Sequence, residues 1–215
     1  MKKAVLLFFL ISSSFLFCQE KIVQKRNIEA NELQIVTYGL DDIVIENSEG
    51  NELEVALLDE NPHTHNIFLT QEGKVLKVTF ELETLPFQNK VFRKYITKRL
   101  ERARAVIKVP KNKHVTIHGR AIGITSKSYH GDISIYIERG NIELNTVEGN
   151  LHVSLFQGNV FAQATSKSKL HLKTNNGTIL INGEKKISPF LKEKPYASET
   201  LTINSIHANI HIQLK

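Results

Sequence analysis

The 215-residue chain has one cysteine, Cys18, at the end of an N-terminal apolar run. Lys2 and Lys3 form a positive start, Ala4 to Phe17 is almost unbroken apolar chain, and Gln19-Glu20 turns polar, the pattern of a secretory signal peptide. Lipoprotein signals place small residues before the cysteine. Here Phe15, Leu16 and Phe17 precede it, so cleavage just after Cys18 is expected and a lipid anchor is not. The mature chain, residues 19–215, then has no cysteine, which excludes disulfides, thiolate metal sites and cysteine nucleophiles. No later stretch is long and apolar enough to cross a bilayer as a helix. The expected location is outside the cytoplasm: periplasmic, on the cell surface or secreted.

Enzyme signatures are also lacking. There is no Gly-x-Ser-x-Gly, no His-Glu-x-x-His and no phosphate-cradling glycine loop ahead of a helix, and the carboxylates Asp132, Glu138, Glu143 and Glu148 are scattered rather than paired. The reading is of a non-enzymatic protein with no cofactor. Charge is only mildly unbalanced: the formal +6 falls to about +4 once Lys2 and Lys3 are removed, a modest excess that suits anionic envelope sugars and does not mark a nucleic-acid binder.

The pattern that is present is β. Leu33/Ile35, Ile43/Ile45 and Leu53/Val55/Leu57 alternate in twos, Gln71-Glu72-Gly73-Lys74 joins two further strands as a hairpin, and Ala105 to Val109 alternates until Pro110. From Gly131 the chain repeats: Gly131, Gly140, Gly149 and Gly158 recur every nine residues, each followed by Asp or Asn and an apolar-polar-apolar triplet. Pairing alternate strands doubles the period. Val115/Ile117, Ile133/Ile135, Leu151/Val153 and Leu170/Leu172 form one series, and Ile122/Ile124, Ile142/Leu144, Val160/Ala162 and Ile179/Ile181 interleave with it. The predicted fold is all-β, a solenoid-like stack with about two strands per rung of about 18–20 residues, with an antiparallel meander or sandwich as the alternative. One elongated domain is expected over residues 19–215, with a strand-rich part at about 28–110 and a repeat part at about 111–215.

The strand-rich first part, the segment Ala105-Val106-Ile107-Lys108-Val109-Pro110 and the Gly-Asn/Asp-apolar-polar-apolar repeats together resemble the exported putative-adhesin family, related to autotransporter-adhesin head domains with Gly-Ile-Asn-type repeats. The resemblance spans about Ile28 to Lys215. It implies a right-handed solenoid on the envelope of a Gram-negative bacterium, an adhesin-like binding module without established catalysis or signature catalytic residues. A polysaccharide-active β-helix enzyme and a structural envelope component without a ligand are the alternatives. The chain departs from the repeat around Ser166 to Ser168, where the corner glycine is lost.

Four groups are candidate functional residues. The segment 90–104 is a basic arm, helix or hairpin, whose Arg93, Lys94, Lys98 and Arg99 would meet an anionic polysaccharide. Phe161 and Leu180 are apolar at outward slots, in a column with Gly123 and Glu143, which invites cover by the 185–199 loop or by a partner. His152 and His171 would stand on adjacent rungs in a column with Thr116 and Ser134, close enough to share a metal. His63 and His65 sit beside Asp59 and Glu60 in a loop, a weaker metal pattern, while His114 and His118 on one strand are too far apart to share an ion.

Overall fold

A computed structural model describes residues 21–59, 65–82 and 103–215. The alternating runs are strands, and no helix occurs among the described residues. The first six strands are β1 (Lys21–Asn27), β2 (Glu32–Val36), β3 (Asp42–Asn47), β4 (Glu52–Asp59), β5 (His65–Glu72) and β6 (Val75–Leu82). β7 (Ala103–Val109), β8 (His114–Ala121) and β9 (Gly123–Ser126) lead into the repeat, which contains β10 (Tyr129–His130), β11 (Ile133–Leu144), β12 (Val147–Glu148) and β13 (Leu151–Ala164). The chain finishes with β14 (Lys169–Thr174), β15 (Ile179–Ile181), β16 (Glu184–Lys186), β17 (Phe190–Lys192) and β18 (Thr200–Leu214).

These strands stack in parallel as rungs, the solenoid-like arrangement, and the parallel ladders exclude the meander. One face runs β6-β2-β8-β11-β13-β18-β14 and the other β7-β3-β9-β11-β13-β18-β15. β11, β13 and β18 are long enough to turn a corner and serve both faces. A short third side is the parallel pair β10 and β12, where Tyr129 is buried and its hydroxyl donates to the Lys113 carbonyl at 2.8 Å. Burial holds that hydroxyl protonated well beyond the ordinary tyrosine range, with Asp132 adding to the effect.

Inside, the 18-residue step is strict through the middle: Val115, Ile133 and Leu151 are register partners, as are Ile117, Ile135 and Val153. All six are at most 4% exposed, so each column is a continuous apolar stack. On the second face Ile124, not Ile122, lies opposite Ile142, so the step there is 18 residues as well and the expected 20-residue offset is corrected.

The repeat's glycines mark the bends because a side chain has no room there. A Cβ on Gly158 would lie 1.8 Å from the Gly140 carbonyl oxygen, and the backbone at Gly158 has φ of 145°. Next to this bend the asparagines form a ladder: Asn159 donates to Asn141 at 2.9 Å, and Asn209 donates to Asn159 at 3.2 Å.

Order in space departs from order in sequence at both ends. β18 lies between β13 and the β14/β15 rung, and β2/β3 lies between the β8/β9 rung and the β6/β7 rung. The outermost rungs are therefore sequence-internal, and each carries antiparallel edge strands: β5 on β6, β4 and then β1 on β7, β17 on β14, and β16 on β15. The β15–β16 turn is Asn182-Gly183, both with positive φ, the geometry a two-residue hairpin needs.

Candidate binding surface

The outward side chains collect into three stations, each built by register. On the second face Thr125, Glu143, Phe161, His211 and Leu180 form one column, because each lies opposite the next on neighbouring strands. Phe161 and His211 stack with centroids 4.7 Å apart and planes inclined by 23°. Two residues along the strands, Gln163 and Gln213 are register partners. Together with Asn145, Leu180 and Gly183 they line a groove of about 480 Å³.

This corrects the predicted column in two ways. Gly123 is the partner of Asp42, so Thr125 takes its place beside Glu143, and His211 stands between Phe161 and Leu180. Nor does the 185–199 loop cover the pair. It supplies β16, which extends the sheet beside β15 with Lys185 opposite Leu180, and β17, which extends the other face; Phe161 stays 43% exposed.

The second station is on the first face. His118 stacks on Tyr136 at 5.4 Å and 14°, and the Tyr136 ring meets His152 at 5.5 Å and 43°. His114 lies at the start of the same strand as His118, its Nε2 3.0 Å from the Ser134 hydroxyl. His152 and His171 are not neighbours. Both are register partners of Thr202 on β18, which separates them by two strand spacings, roughly 9.6 Å. His171 instead hydrogen-bonds Glu193 at 2.8 Å. Among the described residues no group of three or more His, Cys, Asp or Glu side chains is placed to hold a metal ion.

The third station is the corner between the faces. Phe156 and Ile206 are 51% and 39% exposed, and Phe156 meets His207 edge-on at 5.2 Å. Along the same corner Tyr38, His118, Arg120 and Arg139 border a wider depression of about 730 Å³, in which Arg120 pairs with Glu138 at 3.4 Å.

Other predicted residues fall elsewhere. Arg93, Lys94, Lys98 and Arg99 lie outside the described residues, as does His63. His65 is buried, with Nε2 2.9 Å from the Gly39 carbonyl. Sequence reasoning missed Tyr136, Phe156, Ile206 and His211. Phe156 and Ile206 did leave a trace, each an apolar residue directly after an inward position where alternation requires a polar one.

A solved structure shares this architecture. A putative cell adhesion protein from Clostridium sporogenes ATCC 15579 superposes with a TM-score of 0.59 at 14% identity, over 91% of this chain and 99% of its own. A putative adhesin from Bacteroides fragilis NCTC 9343 aligns over 92% of this chain and 98% of its own, at 11% identity and a TM-score of 0.42. A putative lipid binding protein from Parabacteroides distasonis ATCC 8503 aligns over 91% and 97%, at 13% identity and a TM-score of 0.32. The likeness to the Clostridium protein is one of fold. No curated protein matches the chain. The family model described as Toastrack DUF4097 matches residues 30–186, and by that match the chain belongs to the Toastrack DUF4097 family.

Proposed function

We propose that this chain is an exported, non-enzymatic interaction module of the bacterial envelope or cell surface, with a polysaccharide or another protein as its partner. The observation that carries the reading is the outward display of Phe161 with His211, Tyr136 with His118 and His152, and Phe156 with Ile206 on a rigid stacked scaffold. Parallel sheets ordinarily cover such side chains, and apolar residues left on an outer face mark contact surfaces. The signal-like residues 1–18 support export. The Gly-Asn/Asp repeat supports the finer kinship with autotransporter-adhesin heads. An anionic partner is favoured at the corner, where Arg120 and Arg139 border the depression, and Arg93, Lys94, Lys98 and Arg99 are proposed to add to it.

The test is co-sedimentation of the purified protein with envelope fragments, alongside assays for release of reducing ends from envelope polysaccharides. Retention without turnover is the expected result. Replacing Tyr136, Phe156 and Phe161 together by Ser should abolish it, since these side chains contact the partner and not the core. Turnover, or retention unchanged in the triple variant, would overturn the reading.

A further inference from the structure

The groove on the second face differs in chemistry from the rest of the surface. Its floor is a stacked aromatic pair, Phe161 and His211, and its flank is a row of side-chain amides, Asn145, Gln163 and Gln213. Register sets the spacing of both. Phe161 and His211 are on adjacent strands about 4.8 Å apart, and Gln163 and Gln213 lie two residues further along the same strands, about 6.6 Å away. An apolar ring face thus adjoins groups that can both donate and accept hydrogen bonds.

Charge narrows the class of ligand. Glu143 is the one carboxylate side chain lining the groove among the described residues, and no Lys or Arg lines it there. The Glu143 carboxylate disfavours uronates, sulfates and phosphates in the groove, while Asp42, outside the lining, is paired with Arg104 at 3.5 Å. Lys185, opposite Leu180 on the edge strand, is outside the lining. A lipid tail is equally ill served: Gln163 Oε1 accepts from the Thr146 hydroxyl at 3.5 Å, but the amide NH2 groups lining the groove would face hydrocarbon. The groove crosses β11, β13, β18 and β15, a run of about 14 Å at ordinary strand spacing, so it is long and open rather than deep.

We propose that this groove is a binding site for an uncharged glycan, with a sugar ring seated on Phe161 and His211 and its hydroxyls paired to the amides of Gln163 and Gln213. The proposal rests on the reading of the chain as a surface interaction module and assigns that module one specific site. Glu143 accepts a further hydroxyl and repels acidic polymers, which leaves the Arg120 and Arg139 corner as the place for an anionic partner.

The test is calorimetric titration of the full chain with neutral β-glucan oligomers and N-acetylhexosamine oligomers, with polygalacturonate as the charged comparison. Neutral oligomers should bind saturably and without strong dependence on salt. Phe161→Ala should weaken that binding about tenfold. Gln163→Ala and Gln213→Ala should each weaken it about two- to tenfold. Phe161 is exposed, so its variant should fold, and the glutamine variants give an independent check. The inference is overturned if no neutral oligomer binds, if Phe161→Ala and the glutamine variants bind as the parent does, or if Phe161→Ala removes polygalacturonate binding instead. Envelope retention measured on the same samples separates the two levels: retention without neutral glycan binding sinks this inference alone, and loss of both sinks the wider reading with it.

Discussion

The middle of the solenoid and its two ends obey different rules. From β8 through β11 to β13 each rung lies beside its predecessor in the chain, and an 18-residue step carries every side chain onto its equivalent. At the ends the chain passes over one position and comes back. β14/β15 is laid down beyond a gap that β18 later fills, and β2/β3 is enclosed by the β6/β7 rung, which comes later in the chain. For β18 the physical reason is that a strand at a sheet edge has one partner and frays, whereas one inserted between two rungs is paired on both sides; β1, by contrast, stays at an edge with β4 as its partner. The outermost rungs are then sequence-internal segments that loops and hairpins can cap.

If this arrangement holds the C-terminal end together, deleting residues 200–215 should have the largest effect of any change considered. Leu201, Ile203, Ile210 and Ile212 are at most 4% exposed. Each contributes about 1.5–3 kcal/mol by burial, so the four together approach the whole stability of an ordinary domain, about 5–15 kcal/mol. The deletion also leaves β14 and β15 without the strand that joins them to the stack. Limited proteolysis should cut the truncated protein throughout 165–199, and its thermal transition should be lost or strongly lowered. A truncated chain that melts like the parent would show that the inserted strand is an ornament.

The corner positions sharpen the contrast at smaller scale. Gly158→Ala places a methyl 1.8 Å from the Gly140 carbonyl oxygen, and the backbone can relieve this only by moving two rungs; a loss of about 3 kcal/mol or more is expected. On β18 the equivalent corner residue is already Ala208, fully buried, and its amide is held by the Ser205 hydroxyl at 2.8 Å. Ala208→Gly should therefore cost only about 1 kcal/mol. Ser205→Ala, which leaves that buried amide unpaired, should cost about 1–3 kcal/mol. Chemical denaturation of the three variants checks the order, and equal losses at Gly158 and Ala208 would mean that the inserted rung follows the same corner rule as the others.

The comparison also marks how far the sequence can be read. Within the repeat, Ile133, Ile135, Leu151 and Val153 announce strand, face and register, because local alternation and a fixed step suffice when neighbours in space are neighbours in the chain. The same logic pairs Leu151 with Leu170, and there it fails. Leu201 intervenes, and nothing local in 200–214 says that its partners lie 31 and 50 residues back. His152 and His171 are separated by the same insertion. Phe161 and Leu180 are recognisable as outward apolar residues, but the imidazole between them belongs to β18 and is visible only once that strand is in place. Loss of the corner glycine near Ser166 marks where the simple step ends, although not where the chain goes next.

The opposite end allows a weaker test, because β1 and β4 lie outside the last parallel rung rather than being inserted. Glu54 on β4 accepts from Lys25 of β1 at 3.0 Å and from Lys108 of β7 at 3.2 Å, so one carboxylate ties three strands. The hydrogen bonds from Lys25 and then Lys108 hold its carboxyl below the ordinary glutamate value. A carboxyl depressed in the folded state stabilises above its unfolded pKa, and that contribution is lost as pH falls through the folded value. Both lysines are solvated, which screens the pairs, so Glu54→Gln should lower stability by less than about 1 kcal/mol near neutral pH. Parent and variant should converge in acid, below the folded value. Denaturation midpoints across that range check the sign. A gap that widens toward low pH would mean that Glu54 acts through something other than its charge, and that the added strands are held by packing alone.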